Sequence, residues 1–253
     1  MSDAATPAPI RVAVTGAQGR MGREVVQAVT GADGMEVVAA VGRGDDLSEA
    51  LRATKPDVLV EFSIPESVMP NVRTALREGV VPLVGTTGIR PADQEELTAL
   101  CAETGTGCLI APNFALGAVL LMRFAAEAAR YFPDVEIIEL HHERKKDAPS
   151  GTAARTAEMI AASRNTAPAA APSDAFEIFP GARGGQAAGD IPVHSVRLPG
   201  FVASQEVLFG GPGQRLSLRH DSIDRASFMP GVLLAIRRAG TIKGLVVGLE
   251  ELL

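Results

Sequence analysis

His141 and His142 stand side by side, and Lys145, Asp147, Ser150, Gly151 and Thr152 follow within eleven residues. Imidazole titrates near neutral pH, so it can give up and regain a proton in each turnover. An ammonium group such as that of Lys145 serves as a fixed positive charge unless burial lowers its pKa. Ser150 reads as the N-cap of a helix over 152–161, with Pro149 before it, and such a helix start offers unpaired backbone N–H groups at the positive end of the dipole. A proton donor, a cation and a cradle for an oxyanion therefore occupy one short segment. The run 135–140, apolar-flanked and β-rich, reads as the strand that delivers them at its exit. A charged surface loop followed by an ordinary capped helix would have the same composition, so this segment does not decide the matter alone.

A second constellation lies near the N-terminus. Gly16, Ala17, Gln18, Gly19, Arg20, Met21 and Gly22 separate a strand at 10–15 from a helix at 23–30. Strand, glycine turn and helix together let backbone approach a pyrophosphate at a helix N-terminus. The spacing is GxxGxxG rather than GxGxxG, and a tight structural turn is the plainer alternative. Strands at 35–41, 57–62, 80–85 and 107–111 follow, with helices at 65–78 and 91–103 that both begin with proline, as a first helical turn tolerates. Such alternation predicts a parallel sheet covered on both faces, with ligands at the carboxyl ends of its strands. Those ends carry Gly16–Gly22, Phe62 with Ser63, then Gly85, Thr86, Thr87 and Gly88, and finally Ala111, Pro112, Asn113 and Phe114. Each is an ordinary turn by itself; their shared position marks a crevice for a dinucleotide.

One expected group is missing. A dinucleotide fold usually ends its second strand on an acid that binds the adenosine ribose. Here the strand runs into Gly42, Arg43 and Gly44, with acids only at Asp45 and Asp46. Arginine beside glycine suits a 2′-phosphate, which favours NADPH, or use of both NADPH and NADH, over strict NADH. Arg43 as a solvated loop charge and Asp45 reaching back to a ribose are the competing readings.

The second half is organised differently. A strong helix spans 116–130; the histidine strand and the Ser–Gly–Thr helix come next. The stretch 164–188 is rich in Ala, Pro, Gly and Ser and reads as a long loop, which in a compact domain is mobile or functional. Strands at 192–197, 201–209 and 216–220 form a mixed or mostly antiparallel sheet whose spare face invites subunit packing. A helix at 225–238 and a strand at 244–249 close the chain and return to the first domain. The fold class is therefore α/β: a Rossmann-like parallel-sheet domain (1–114 and 226–253) plus an α+β substrate-binding and oligomerisation domain with a mixed sheet (115–225).

Composition narrows the function classes. The chain has 253 residues with 30 acidic against 24 basic side chains, no Trp and one Tyr, so neither a basic footprint nor stacking aromatics point to nucleic acid. Cys101 and Cys108 are the only cysteines and fit neither a metal cluster nor a disulfide scaffold, which points to a reduced, cytoplasmic setting. Residues 1–9 lack the pattern of a signal peptide, and no apolar stretch is long enough to cross a bilayer.

The glycine turn, Gly85–Gly88, Ala111–Phe114, and His141, His142 with Lys145 and Asp147–Thr152 together resemble the dihydrodipicolinate reductase (4-hydroxy-tetrahydrodipicolinate reductase) family, most of all its actinobacterial members. The likeness continues through 194–200, 206–209 and 219–228. It implies an NAD(P)H-dependent oxidoreductase of the diaminopimelate route to lysine, usually a homotetramer joined through the C-terminal sheet. By that pattern His141 is the proton donor and Lys145 the second donor or a carboxylate clamp. His142, Ser150, Gly151 and Thr152 would meet the cyclic dicarboxylate substrate, and Arg20 would face the nucleotide unless it is only an exposed helix-start charge. Asn113 would touch the nicotinamide ribose or carboxamide. Lys146 reads as a solvated charge and His194 and His220 as structural; Arg197 could meet a carboxylate or brace a loop. A sugar or amino-acid dehydrogenase would share the glycine turn but has no reason to follow a histidine pair with Asp-Ala-Pro-Ser-Gly-Thr. A nucleotide-sensing protein would need a basic or partner-binding face that this acidic chain lacks.

Overall fold

The structure, a computed structural model, describes residues 8–169 and 173–253. Strands and helices alternate through the first part: β1 (Ile10–Thr15), α1 (Arg20–Thr30), β2 (Met35–Val41), α2 (Leu47–Thr54), β3 (Val58–Glu61), α3 (Pro65–Arg77), β4 (Val81–Val84), α4 (Pro91–Thr104) and β5 (Cys108–Ile110). Then come α5 (Leu116–Ala128), β6 (Asp134–His141), α6 (Gly151–Ser163), β7 (Gly185–Gln186), β8 (Pro192–Arg197), β9 (Ala203–Gly211) and β10 (Gln214–Ser222), with α7 (Met229–Arg238) and β11 (Leu245–Val247) last. Two compact units result: one runs to Phe114 and resumes at Phe228, and the other spans Ala115–Ser227.

In the first unit six strands lie in the order β2-β1-β3-β4-β5-β11, each parallel to its neighbours. The order reverses at β1, the position where open parallel sheets leave a crevice for ligands. Register pairs Thr15 with Glu61, Glu61 with Val84, and Val84 with Ile110. Four strands therefore end level, and the residues after them form one row. The sheet interior is aliphatic, with Val12, Val14, Leu59, Val60, Leu83 and Leu109 fully buried, as expected for strands covered on both faces.

The second unit holds a mixed sheet, β10-β9-β6-β8-β7, in which only β6 and β8 run parallel. Leu121 and Ala125 of α5 and Ala153, Ala157 and Ile160 of α6 pack against Val135, Ile137, Val193, Val207 and Phe209. Alternation along β6 places Glu139 and His141 on this helix-covered side, and Ile138 and Leu140 on the other.

Several boundaries moved, for identifiable reasons. Helix α2 was not anticipated; Asp46 caps it, its carboxylate accepting the Glu49 N–H at 3.0 Å. Helix α6 starts one residue early because the Ser150 hydroxyl oxygen accepts the Ala153 N–H at 3.2 Å. Residues 225–238 do not form one helix. A 3-10 turn, Arg225–Phe228, precedes α7, whose first turn carries Pro230. The stretch expected to be loop, 164–188, contains β7, which pairs with β8; its residues 170–172 lie outside the described residues.

Candidate active site

Phe62 organises the row of strand ends in the first unit. Gly16 has φ +68°, and a Cβ there would sit 2.3 Å from the Phe62 carbonyl oxygen. A Cβ on Gly85 would sit 2.2 Å from the Phe62 ring, whose centroid is 5.7 Å from that of Phe114. Turn, Phe62, Gly85 and Phe114 are thus brought together, and only glycine fits at two of the contacts. The Gly16 carbonyl also forbids a side chain at Gly22, where a Cβ would come within 2.1 Å, so α1 starts directly against the turn. Ala17 is buried, Gln18, Gly19 and Arg20 are exposed, and Met21 is half-buried. Thr86 donates its hydroxyl to the Glu61 carbonyl at 3.4 Å, while Thr87 and Pro112 are exposed and Asn113 half-buried. Backbone this bare, at a helix start and a sheet switch point, fits a pyrophosphate.

At the end of β2, Asp45 does not reach outward. Its carboxylate accepts the Gly42 N–H at 2.7 Å, and Asp46 is committed to the cap of α2. Arg43 is exposed and has no hydrogen-bond or ion-pair partner among the described residues.

In the second unit the two histidines are gathered around a carboxylate that sequence reading did not single out. Glu139 is fully buried. Its carboxylate takes the Nδ1 side of His141, the Nη1 and Nη2 groups of Arg197 at 2.9 and 2.7 Å, and the Ser150 N–H at 3.2 Å. Burial alone would raise this carboxyl; the hydrogen bonds from His141, Arg197 and Ser195 outweigh it and bring it down to about 2. An ionised carboxylate only accepts, so the proton of a neutral His141 ring sits on Nδ1 and Nε2 is left for other partners. Arg197 also donates to the Asp147 carbonyl at 2.7 Å, and the Asp147 carboxylate holds the Lys145 Nζ at 2.9 Å through both oxygens. Burial would raise the Asp147 carboxyl, but the Lys145 hydrogen bond and charge, a backbone hydrogen bond and the Arg197 charge together lower it.

His142 is oriented from its own loop. Its Nδ1 accepts the Arg144 N–H at 3.2 Å, which places the proton of the neutral ring on Nε2. Burial lowers its pKa; the Glu143 charge opposes this, and the nearby charges of His141, Arg144 and Arg225 reinforce it. Ser150 is buried, its hydroxyl capping α6 and its N–H given to Glu139, so it shapes the helix start from beneath. Gly151 is open: a Cβ there would meet nothing within 4 Å. Thr152 is half-buried beside it. Lys146 is exposed. Of the other two histidines, His194 pairs with Glu136 at 2.9 Å, and His220 lies against the first turn of α5, where a Cβ on Gly117 would meet its ring at 2.3 Å. Arg197 is a brace. The signal for Glu139 was present, an acid two residues before a histidine on one face of a strand, but only Arg197, 58 residues on, makes it a hub.

A switch-point sheet with a glycine turn, joined in one chain to a mixed sheet carrying a histidine, a buried carboxylate and a helix start, defines a dehydrogenase-type oxidoreductase. The model for "Dihydrodipicolinate reductase, N-terminus" matches residues 10–114 and that for "Dihydrodipicolinate reductase, C-terminus" matches 117–253. The chain belongs to the dihydrodipicolinate reductase family. It is 53% identical over 246 residues to the 4-hydroxy-tetrahydrodipicolinate reductase of Streptomyces griseus, covering 96% of this chain and 98% of that one. The corresponding protein of Desulfitobacterium hafniense is 48% identical over 265 residues, with 96% and 98% covered. A dipicolinate-bound dihydrodipicolinate reductase from Paenisporosarcina sp. TG-14 superposes with a TM-score of 0.86 at 44% identity, covering 97% of this chain and all of that one. An amine dehydrogenase from Mycobacterium smegmatis, at 16% identity and a TM-score of 0.64 with 94% of both chains covered, shares the fold alone. The chain is thus an NAD(P)H-dependent oxidoreductase with a Rossmann-like nucleotide unit. Among the described residues no helix is long and apolar enough to cross a membrane, and no group of His, Cys, Asp and Glu could hold a metal ion.

Proposed function

We propose that this protein reduces 4-hydroxy-tetrahydrodipicolinate to tetrahydrodipicolinate with loss of water, in the diaminopimelate route to lysine. The nicotinamide, when bound, supplies the hydride. Residues 16–21 with Gly85, Thr86, Thr87, Ala111, Pro112, Asn113 and Phe114 hold the dinucleotide. His141 delivers a proton from Nε2, and Lys145 serves as the second donor or fixes a carboxylate. His142, through its Nε2 proton, and the helix start at Ser150, Gly151 and Thr152 receive the carboxylates of the substrate.

The observation that carries this reading is the Glu139 contact to His141 Nδ1, which leaves Nε2 as the working nitrogen, on a carboxylate that also accepts the N–H of Ser150, the N-cap of α6. Loss of NADPH absorbance on adding freshly condensed pyruvate and aspartate semialdehyde tests the reaction. His141→Gln and Lys145→Ala each lower turnover far more than they weaken cofactor binding. Equal losses in both would show the assignments to be wrong.

For the cofactor, NADPH is favoured or shared with NADH: Asp45 is tied to its own loop, and Arg43 is exposed for a 2′-phosphate. The partner of the second unit is further copies of the chain, in a homotetramer. Half-buried Ile138, Leu140, Val196 and Leu208 on the sheet face opposite α5 and α6 support it. A cytoplasmic location suits the two buried, free thiols.

A further inference from the structure

We propose that Glu139 is a positioning residue for proton delivery: through its buried pair with Arg197 it fixes which nitrogen of His141 carries the working proton. The inference rests on His141 being the donor, and it adds a residue and a mechanism to that reading.

Glu139 is enclosed by donors. Oε2 faces His141 Nδ1 and Arg197 Nη1; Oε1 faces Arg197 Nη2 and the Ser150 N–H, and the Ser195 hydroxyl adds a further donor to the carboxylate. No water-filled gap is needed to explain the arrangement, because the side chain is 0% exposed and His141 is 14% exposed. The carboxylate therefore cannot swing away, and the ring cannot rotate without abandoning a charge-assisted hydrogen bond in a buried place. Arg197, at 19% exposure, balances the Glu139 charge and also binds the Asp147 carbonyl. The same guanidinium thus anchors the loop whose Asp147 carboxylate grips Lys145.

The proton balance is simple. A doubly protonated His141 gives the Nε2 proton to the substrate and becomes neutral, keeping its Nδ1 proton on the hydrogen bond to Glu139. Glu139 stays ionised throughout and exchanges no proton. Reprotonation occurs at the same Nε2.

Glu139→Gln isolates the effect, because it keeps shape and replaces one acceptor oxygen by an N–H₂ donor. With that group at the Oε1 position it would face two fixed donors, the Ser150 N–H and Arg197. At the Oε2 position it faces one fixed donor and an imidazole, which can give up its Nδ1 proton and accept instead; the Ser195 hydroxyl can turn to donate or accept and so favours neither placement. The second placement wins, and the neutral His141 ring moves its proton to Nε2.

The test uses the full-length enzyme labelled with ¹⁵N-histidine, with the His141 signals identified by their loss in His141→Gln. At a pH where the rings are neutral, the wild type should show His141 as the Nδ1–H tautomer and Glu139→Gln as the Nε2–H tautomer. In the same variant kcat should fall about 10²–10⁴-fold, the range for losing general acid catalysis, with the NADH Kd changed less than about twofold. A wild-type Nε2–H tautomer overturns the proposal, and needs no variant that folds. Unchanged kcat in Glu139→Gln, with His141→Gln impaired, also overturns it. Full activity in His141→Gln removes the donor itself, and is told apart from the other failures because the wild-type tautomer would still be Nδ1–H.

Discussion

Replacing Gly22 by alanine should separate the nucleotide turn from the helix it feeds. The new Cβ would stand 2.1 Å from the Gly16 carbonyl oxygen and 2.7 Å from the Ala17 Cα, all backbone atoms that no rotamer change can move aside. Ordinary contact begins at 3.4 Å, so turn and helix must part by about 1.3 Å. Overpacking of this kind costs about 1–3 kcal/mol in stability. The effect on the cofactor should be larger than on the fold, because the N–H groups of the turn and of α1 must converge on one pyrophosphate and a shift of about 1 Å is enough to lose a hundredfold in aligned systems. We expect the NADPH dissociation constant, from fluorescence titration, to rise about 10–100-fold, with thermal unfolding lowered by several degrees. Gly31→Ala is the control. It sits at the other end of α1 with φ −89°, and its Cβ would meet nothing closer than 3.5 Å, so stability should stay within about 1 kcal/mol and binding should not change. Wild-type affinity in Gly22→Ala, or equal loss in Gly31→Ala, would refute the reasoning.

Two further outcomes follow from the geometry. Glu139 has its folded pKa depressed from 4.5 to about 2, so its stabilising contribution is complete above 4.5 and is lost as pH falls through that window. The shift corresponds to at most ~3 kcal/mol, or roughly 2 kcal/mol once screening is allowed for at Arg197 and His141, which reach solvent. The thermal unfolding midpoint of the wild type should therefore drop on going from pH 5 to pH 3 more steeply than that of Glu139→Gln, and parallel profiles would count against the ion-pair account. Arg43→Ala should weaken NADPH roughly tenfold while leaving NADH as it was, by titration of both cofactors; loss of both alike would mean that Arg43 holds no 2′-phosphate.

Much of this molecule is legible in local pattern. The glycines at 16, 19 and 22 between a β-branched run and an apolar-periodic helix, the prolines opening α3 and α4, and Ser150 before Gly151 each impose a conformation through the backbone alone. Helix α2 escaped because its apolar face is short, eight residues in all, although Asp46 and Glu49 carry the start signal. The split at Arg225–Phe228 escaped because residues 225–238 have helical periodicity throughout while Pro230 bars a continuous hydrogen-bond ladder.

Side-chain type and spacing alone singled out the candidate residues: an imidazole pair at a strand exit, a lysine, a capped helix start, and a glycine turn. Tertiary structure decided what each is held by. Glu139, Arg197 and Ser150 meet only because β6 pairs with β8 and α6 packs beneath them, and Phe62 reaches Gly16, Gly85 and Phe114 only because four strands end in register. The reason is physical: conformational preference is set within a turn or two of chain, whereas tautomer, ionisation and close approach depend on neighbours brought from tens of residues away into a space that excludes water.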